Sequence, residues 1–92
     1  MFEIEAEKFL LELVAKIEEK FEDVDVDFHE GVLSISTKQG NYAINKHSVT
    51  QSIWFSSPVS SLKYFILQNG VFVDKKNYNL TLEDAILNDL IK

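Results

Sequence analysis

The strongest constraint on the fold of this chain is a change of hydrophobic period near residue 23. Before it, Ala6, Phe9, Leu10, Leu13, Val14, Ile17 and Phe21 recur at three- and four-residue spacings. That spacing places one apolar stripe along a helix from about Glu3 to about Glu22. After it, "VDVDF" alternates strictly, turning Val24, Val26 and Phe28 inward and Asp25, Asp27 and His29 outward. A one-sided helix that runs into a one-sided strand requires a layered fold in which the two apolar sides meet.

The period of two then persists. "HEG" makes a short turn into "VLSIST", with Leu33 and Ile35 inward and Ser34 and Ser36 outward. "KQGN" turns into "NYAIN", with Tyr42 and Ile44 inward and Asn41, Ala43 and Asn45 outward. A connection through "KHSVT" leads to "QSIWFS", followed by a turn at "SPVSS". "KYFIL" reads as a fifth strand, Gln68-Asn69-Gly70 as a hairpin signal, and "VFV" as a short sixth strand. "DKKNYN" reads as a loop. Thr81 with Asp84 three residues on resembles a capping box, and Leu82, Ala85, Ile86, Leu90 and Ile91 supply the stripe of a last helix. The expected fold is α+β: one domain over residues 1–92, a two-layer α/β sandwich. Its antiparallel sheet has five or six strands, and the N- and C-terminal helices pack on one face.

The 92 residues are 46% hydrophobic, enough to bury a core, and contain no cysteine, which excludes disulfides, thiolate nucleophiles and Cys-based metal or cluster sites. No apolar run approaches the roughly 18–20 residues that span a bilayer, so no membrane partner is expected. The acidic N-terminus is unlike a basic targeting segment. The net charge of −6 is unevenly placed: residues 1–30 carry −8 and residues 31–92 carry +2. The acidic end disfavours nucleic acid and favours cations or a basic protein.

Alternation leaves the outer sheet face as a lawn of Ser, Asn and Asp in which Trp54, the only tryptophan, stands alone. Such an indole is either an interface anchor or a residue packed under a loop or against the turn at Val59, and alternation leaves both open. Glu18, Glu19, Glu22, Asp23, Asp25 and Asp27 cross the helix-to-strand junction. Clustered carboxylates without His or Cys suit weak binding of hard cations; the plain alternative is a solvated edge that keeps the protein soluble. His29 and His47 lack metal-ligand spacing. No catalytic triad order, nucleophile elbow or glycine-rich phosphate loop is present, so a hydrolase or transferase acting on an organic substrate is not expected.

The run "GNYAINKHSVTQSIWFSSPVS" (40–60) resembles the signature of the frataxin family (CyaY in bacteria), in which G-x-Y-V-I-N-K-Q is followed by Q-I-W-L-S-S-P-x-S-G. "FEDVDVDFHEGVLSIST" resembles the FED-x-DV-x-F…GVL-T stretch of eukaryotic frataxins, so the likeness covers about residues 5–65. The resemblance implies the frataxin sandwich and a role in iron–sulfur cluster biogenesis. It implies a protein that docks on a cysteine desulfurase and its scaffold protein and modulates sulfur transfer. It also implies weakly bound iron (Fe2+/Fe3+) along a ridge formed by Glu18, Glu19, Glu22, Asp23, Asp25 and Asp27. Asn45 and Trp54 match family positions on the partner-binding sheet face, to which His47 and Ser52 are also assigned. The alternative reading is an iron chaperone or weak ferroxidase that oxidises Fe2+ at the ridge. A monomer is expected, with oligomers dependent on iron, in a mitochondrion or mitochondrion-derived organelle or, alternatively, in bacterial cytoplasm.

Three departures bear on that surface. His47 stands where the family usually has Gln, Ser52 where it has the Gln before I-W, and Ser60-Ser61-Leu62 where it has S-G-P. The expected surface keeps its anchor and changes its rim.

Overall fold

The computed structural model describes residues 2–91. Helix α1 (Phe2–Lys20) is followed by strands β1 (Asp25–His29), β2 (Val32–Thr37), β3 (Gly40–His47) and β4 (Ser52–Ser56). Strands β5 (Lys63–Gln68), β6 (Val71–Asp74) and β7 (Asn77–Thr81) precede helix α2 (Leu82–Leu90). The strands form one antiparallel meander in the order β1-β2-β3-β4-β5-β6-β7, with every connection a hairpin or short loop.

The α+β sandwich is the expected one, but the sheet has seven strands rather than five or six. The additional strand, β7, lies where "DKKNYN" reads as a loop. Its residues run exposed, exposed, exposed, then half-buried, because it is an edge strand with little core contact, so no apolar alternation marks it. The other edge strand, β1, turns Asp25 and Asp27 to solvent. Charged and amide side chains on both edges oppose further strand addition.

Both helices cover the same face. Ala6, Leu10, Leu13 and Ile17 of α1, and Leu82, Ala85 and Ile86 of α2, join Leu33, Ile35, Tyr42, Ile44, Ile53, Phe55, Phe65 and Phe72 in one cluster. The Tyr42 and Phe55 rings lie nearly parallel, with centroids 6.2 Å apart. Val24, Val26 and Phe28 are half-buried against this cluster, as a strand at the sheet edge permits. Ile91, expected in the apolar stripe of the last helix, is instead its C-cap and is exposed. The stripe is completed by a carboxylate, Asp89, which is buried.

Two ion pairs tie the layers at their margins. Lys16 of α1 meets Glu83 of α2 at 2.7 Å, and Lys46 of β3 meets Glu3 of α1 at 2.7 Å. Hydrogen bonding to Lys46, then to Ser48, holds the Glu3 carboxyl below its ordinary range. A carboxylate with a lowered folded value stabilises above its unfolded value, and that contribution disappears as pH falls through the folded value. Acid titration of the fold, followed by circular dichroism, should therefore show a component below pH 4.5 that Glu3→Gln removes.

The turn after β4 carries a second test. Ser61, which replaces the glycine of the S-G-P pattern, has φ of 70°, in the left-handed region. Side chains with a Cβ lose about 1–2 kcal/mol there, and glycine's greater freedom in the unfolded chain offsets part of the relief. Ser61→Gly should raise stability by roughly 0.5–1 kcal/mol in denaturant titration.

Candidate functional site

Strand pairing decides which side chains share the uncovered face. His47 lies opposite Ser52, Asn45 opposite Trp54, and Ala43 opposite Ser56 across β3–β4. Across β4–β5, Trp54 faces Tyr64 and Ser52 faces Ile66. The structure thus brings together all four residues expected at the partner surface and adds Tyr64.

Trp54 is half-buried, and its neighbours hold it on three sides. The His47 imidazole stacks flat on the indole, with centroids 3.6 Å apart and planes at 9°. The Tyr64 ring meets it edge-on at 5.0 Å and 73°. The indole N–H donates to the Ser52 hydroxyl at 3.0 Å, and that hydroxyl pairs with Thr50 Oγ1 at 2.6 Å. The contacts that hold this indole are those of His47, Tyr64 and Ser52.

Ser52 is itself buried, so it acts as the acceptor that fixes the ring and not as an exposed rim. The two positions that depart from the family pattern beside Trp54, His47 and Ser52, are the two that set its orientation. Next to it, Asn45 Oδ1 is buried and has no hydrogen-bond partner among the described residues.

The carboxylates lie elsewhere. Glu18 and Glu19 are exposed on the last turns of α1, Glu22 and Asp23 on the link to β1, and Asp25 and Asp27 on the outer side of β1. Among the described residues no three His, Asp or Glu side chains converge on one point. Glu19, Glu22 and Asp23 line an open hollow of about 570 Å³ together with Lys20, Lys38 and the end of α2. The acidic set is a spread, solvated edge, which suits loosely held ions more than a closed coordination shell.

The turn that follows the tryptophan strand is clamped from beneath. Ser57 Oγ accepts from Val59 N at 3.0 Å and Ser60 N at 3.2 Å, and donates to Asp89 Oδ2 at 2.8 Å. Ser60 Oγ donates to the same carboxylate oxygen. The Tyr42 hydroxyl lies 3.2 Å from the Asp89 carbonyl oxygen. Pro58 packs over Gly40, where a Cβ would come within 3.0 Å of the proline ring. The S-S-P pattern thus anchors the end of β4 to α2. Sequence reasoning missed Asp89, although its spacing of three and four from Ile86 and Ala85 puts it in the buried stripe.

An antiparallel meander backed on one side by its terminal helices, with an indole standing on the bare side and carboxylates along the first strand, defines a class of small α/β sandwich proteins. Residues 1–92 match the frataxin-like domain family, and the chain belongs to it. It is 34% identical over 79 residues to the mitochondrial frataxin homologue of Saccharomyces cerevisiae, covering 79% of this chain and 45% of that protein. The chain therefore spans just under half the length of that relative. A trimeric frataxin from the same yeast, solved in complex with ferrous iron, superposes with a TM-score of 0.84 at 31% identity, covering 95% of this chain and 82% of that one. A frataxin from Psychromonas ingrahamii shares the fold, with a TM-score of 0.75 at 22% identity over 84% of this chain and 73% of its own. No helix among the described residues is long and apolar enough to cross a membrane.

Replacing Asp89 by Ala leaves two serine hydroxyls without their acceptor beneath the turn. The expected loss is about 1–3 kcal/mol in denaturant unfolding, with faster amide exchange across residues 57–60.

Proposed function

We propose that this chain works as one frataxin-like domain regulating iron–sulfur cluster biogenesis. It docks its uncovered sheet face on a cysteine desulfurase and its scaffold protein, and modulates sulfur transfer or iron delivery there. The observation that carries this reading is Trp54: a large apolar ring, half-buried and held by His47 and Tyr64 on an otherwise polar face. A pre-ordered indole loses little freedom on binding, and interface energy concentrates in such anchors. Membership of the frataxin family supports the pathway.

Iron enters this reading as cargo. The yeast relative solved with ferrous iron supports iron binding, and the exposed Glu18, Glu19, Glu22, Asp23, Asp25 and Asp27 are the residues with the right charge and donor type. The same carboxylates offer a complementary surface to a basic region of the desulfurase. The mitochondrial relative favours a mitochondrial or mitochondrion-derived compartment. The trimeric yeast structure makes iron-dependent oligomers worth following beside a monomer.

Trp54→Ala should weaken binding to the desulfurase–scaffold complex by about tenfold or more, with the far-ultraviolet circular dichroism of the fold retained. The effect on cluster assembly should fall in parallel. Unchanged binding would overturn the docking role. If instead charge reversal along Glu18–Asp27 alone abolishes function, while Trp54→Ala leaves it intact, the protein handles iron as a chaperone or ferroxidase.

A further inference from the structure

Beyond the tryptophan, the uncovered face has an end of opposite charge. The β6–β7 hairpin turns through Lys75 and Lys76, between Asp74 and its register partner Asn77. Asp74 Oδ1 accepts from Lys76 N at 2.9 Å, and Lys75 N donates to the Tyr64 carbonyl at 2.9 Å, so the turn is fixed beside β5. Two small hollows meet here, and both are lined by Tyr64 and Lys75. One, of about 160 Å³, is bounded by Thr50, Ser52, Trp54, Tyr64, Ile66 and Lys75. The other, of about 230 Å³, includes Lys63, Asp74 and Lys76.

The ammonium groups of this end are placed differently from the other lysines. Lys16 and Lys46 are paired with glutamates, and the hollows containing Lys8 or Lys20 also contain three acidic residues each. Lys75 and Lys76 form no ion pair among the described residues, and both are exposed. Lys63 is held by the Ser60 carbonyl at 3.0 Å. The one carboxylate in the pair of hollows, Asp74, is buried and already accepts the Lys76 N–H. Three cations thus surround Tyr64 with a single, internally engaged, anion.

We propose that this end of the face is a carboxylate seat: an Asp or Glu side chain on an extended segment of a protein partner enters the hollow between Trp54 and Lys75. Its carboxylate meets the Lys75 ammonium, with the Tyr64 and Thr50 hydroxyls within the same hollow as further donors. At 160 Å³ the hollow is smaller than the roughly 300–1,000 Å³ of pockets that enclose a cofactor or metabolite. It has room for one side chain that arrives with its own backbone outside. Glu18, Glu19, Glu22, Asp23, Asp25 and Asp27 gather where α1 ends and β1 begins, at the other edge of the sheet, so an approaching acidic segment is guided to the lysine end and repelled from that edge. The inference rests on the docking reading and adds the chemistry of the partner's contact.

Trp54 is the only tryptophan, so its fluorescence reports directly on the hollow. Titration with an N-acetylated tetraglutamate peptide should give a saturable change in emission that weakens as salt is raised. A tetralysine peptide should give none. The double variant Lys75→Glu, Lys76→Glu should lose the response, while Lys38→Glu, remote from the hollow, should keep it. No response up to about 10 mM peptide, or a response that survives the double variant, overturns the seat.

A second arm uses the desulfurase–scaffold complex itself at low salt. Weakening of about tenfold by the double variant supports the seat. If Trp54→Ala weakens binding and the double variant does not, docking stands and the seat fails. If neither variant matters, both fail.

Discussion

Two helices can cover only one side of a sheet, and this constraint orders everything else in the molecule. Burying an aliphatic or aromatic side chain contributes roughly 1.5–3 kcal/mol, so the inner positions Leu33, Ile35, Tyr42, Ile44, Ile53, Phe55 and Phe65 are committed to the helices. Because successive strand residues point to opposite sides, that commitment puts Asn45 and Trp54 in the open. A one-residue slip in β4 would bring Trp54 inward and lose Ile53 and Phe55 from the core. The half-buried indole on the uncovered face is therefore as firmly specified as the core, by the same pairing.

The bare face then organises itself with its own contacts. His47, Trp54 and Tyr64 come from three adjacent strands and form a continuous aromatic row, while Ser52, itself paired with Thr50, accepts the indole N–H. Asp89 reaches through from α2 to secure the turn that ends the tryptophan strand. Core, turn and bare face are thus mechanically connected, and the helix layer influences the surface it does not touch. Charge is polarised along the same sheet. Carboxylates gather where α1 ends and the first strand begins, and lysines without an ion pair among the described residues sit at the hairpin leading into the last. A partner with one basic and one acidic region can meet both ends in a single orientation.

Much of this was legible in the residues alone. The period change after Phe21 and the alternation through Ile44 determined the layers, the inner and outer residues of β1 to β4, and the position of Trp54 among polar neighbours. The acidic run and the resemblance of residues 40–60 to the frataxin signature marked both candidate surfaces, because these are local patterns carried by consecutive residues. β7 escaped because an edge strand with one face in water and little beneath it needs no apolar rhythm. Asp89 escaped because a charged residue in a helical stripe reads as solvent-facing until its hydroxyl partners, about thirty residues earlier in the chain, are known.

The sequence by itself determined the apolar inner positions of α1 and of the first four strands, since those follow from periodicity and the hydrophobic effect. Only the tertiary structure decided what the outward residues do to one another. Strand register placed His47 and Tyr64 beside Trp54, and the hairpin after β6 brought Lys75 to the same hollow as the indole. Those relations depend on which strands are neighbours and how they are aligned, a non-local property that no single stretch of residues encodes.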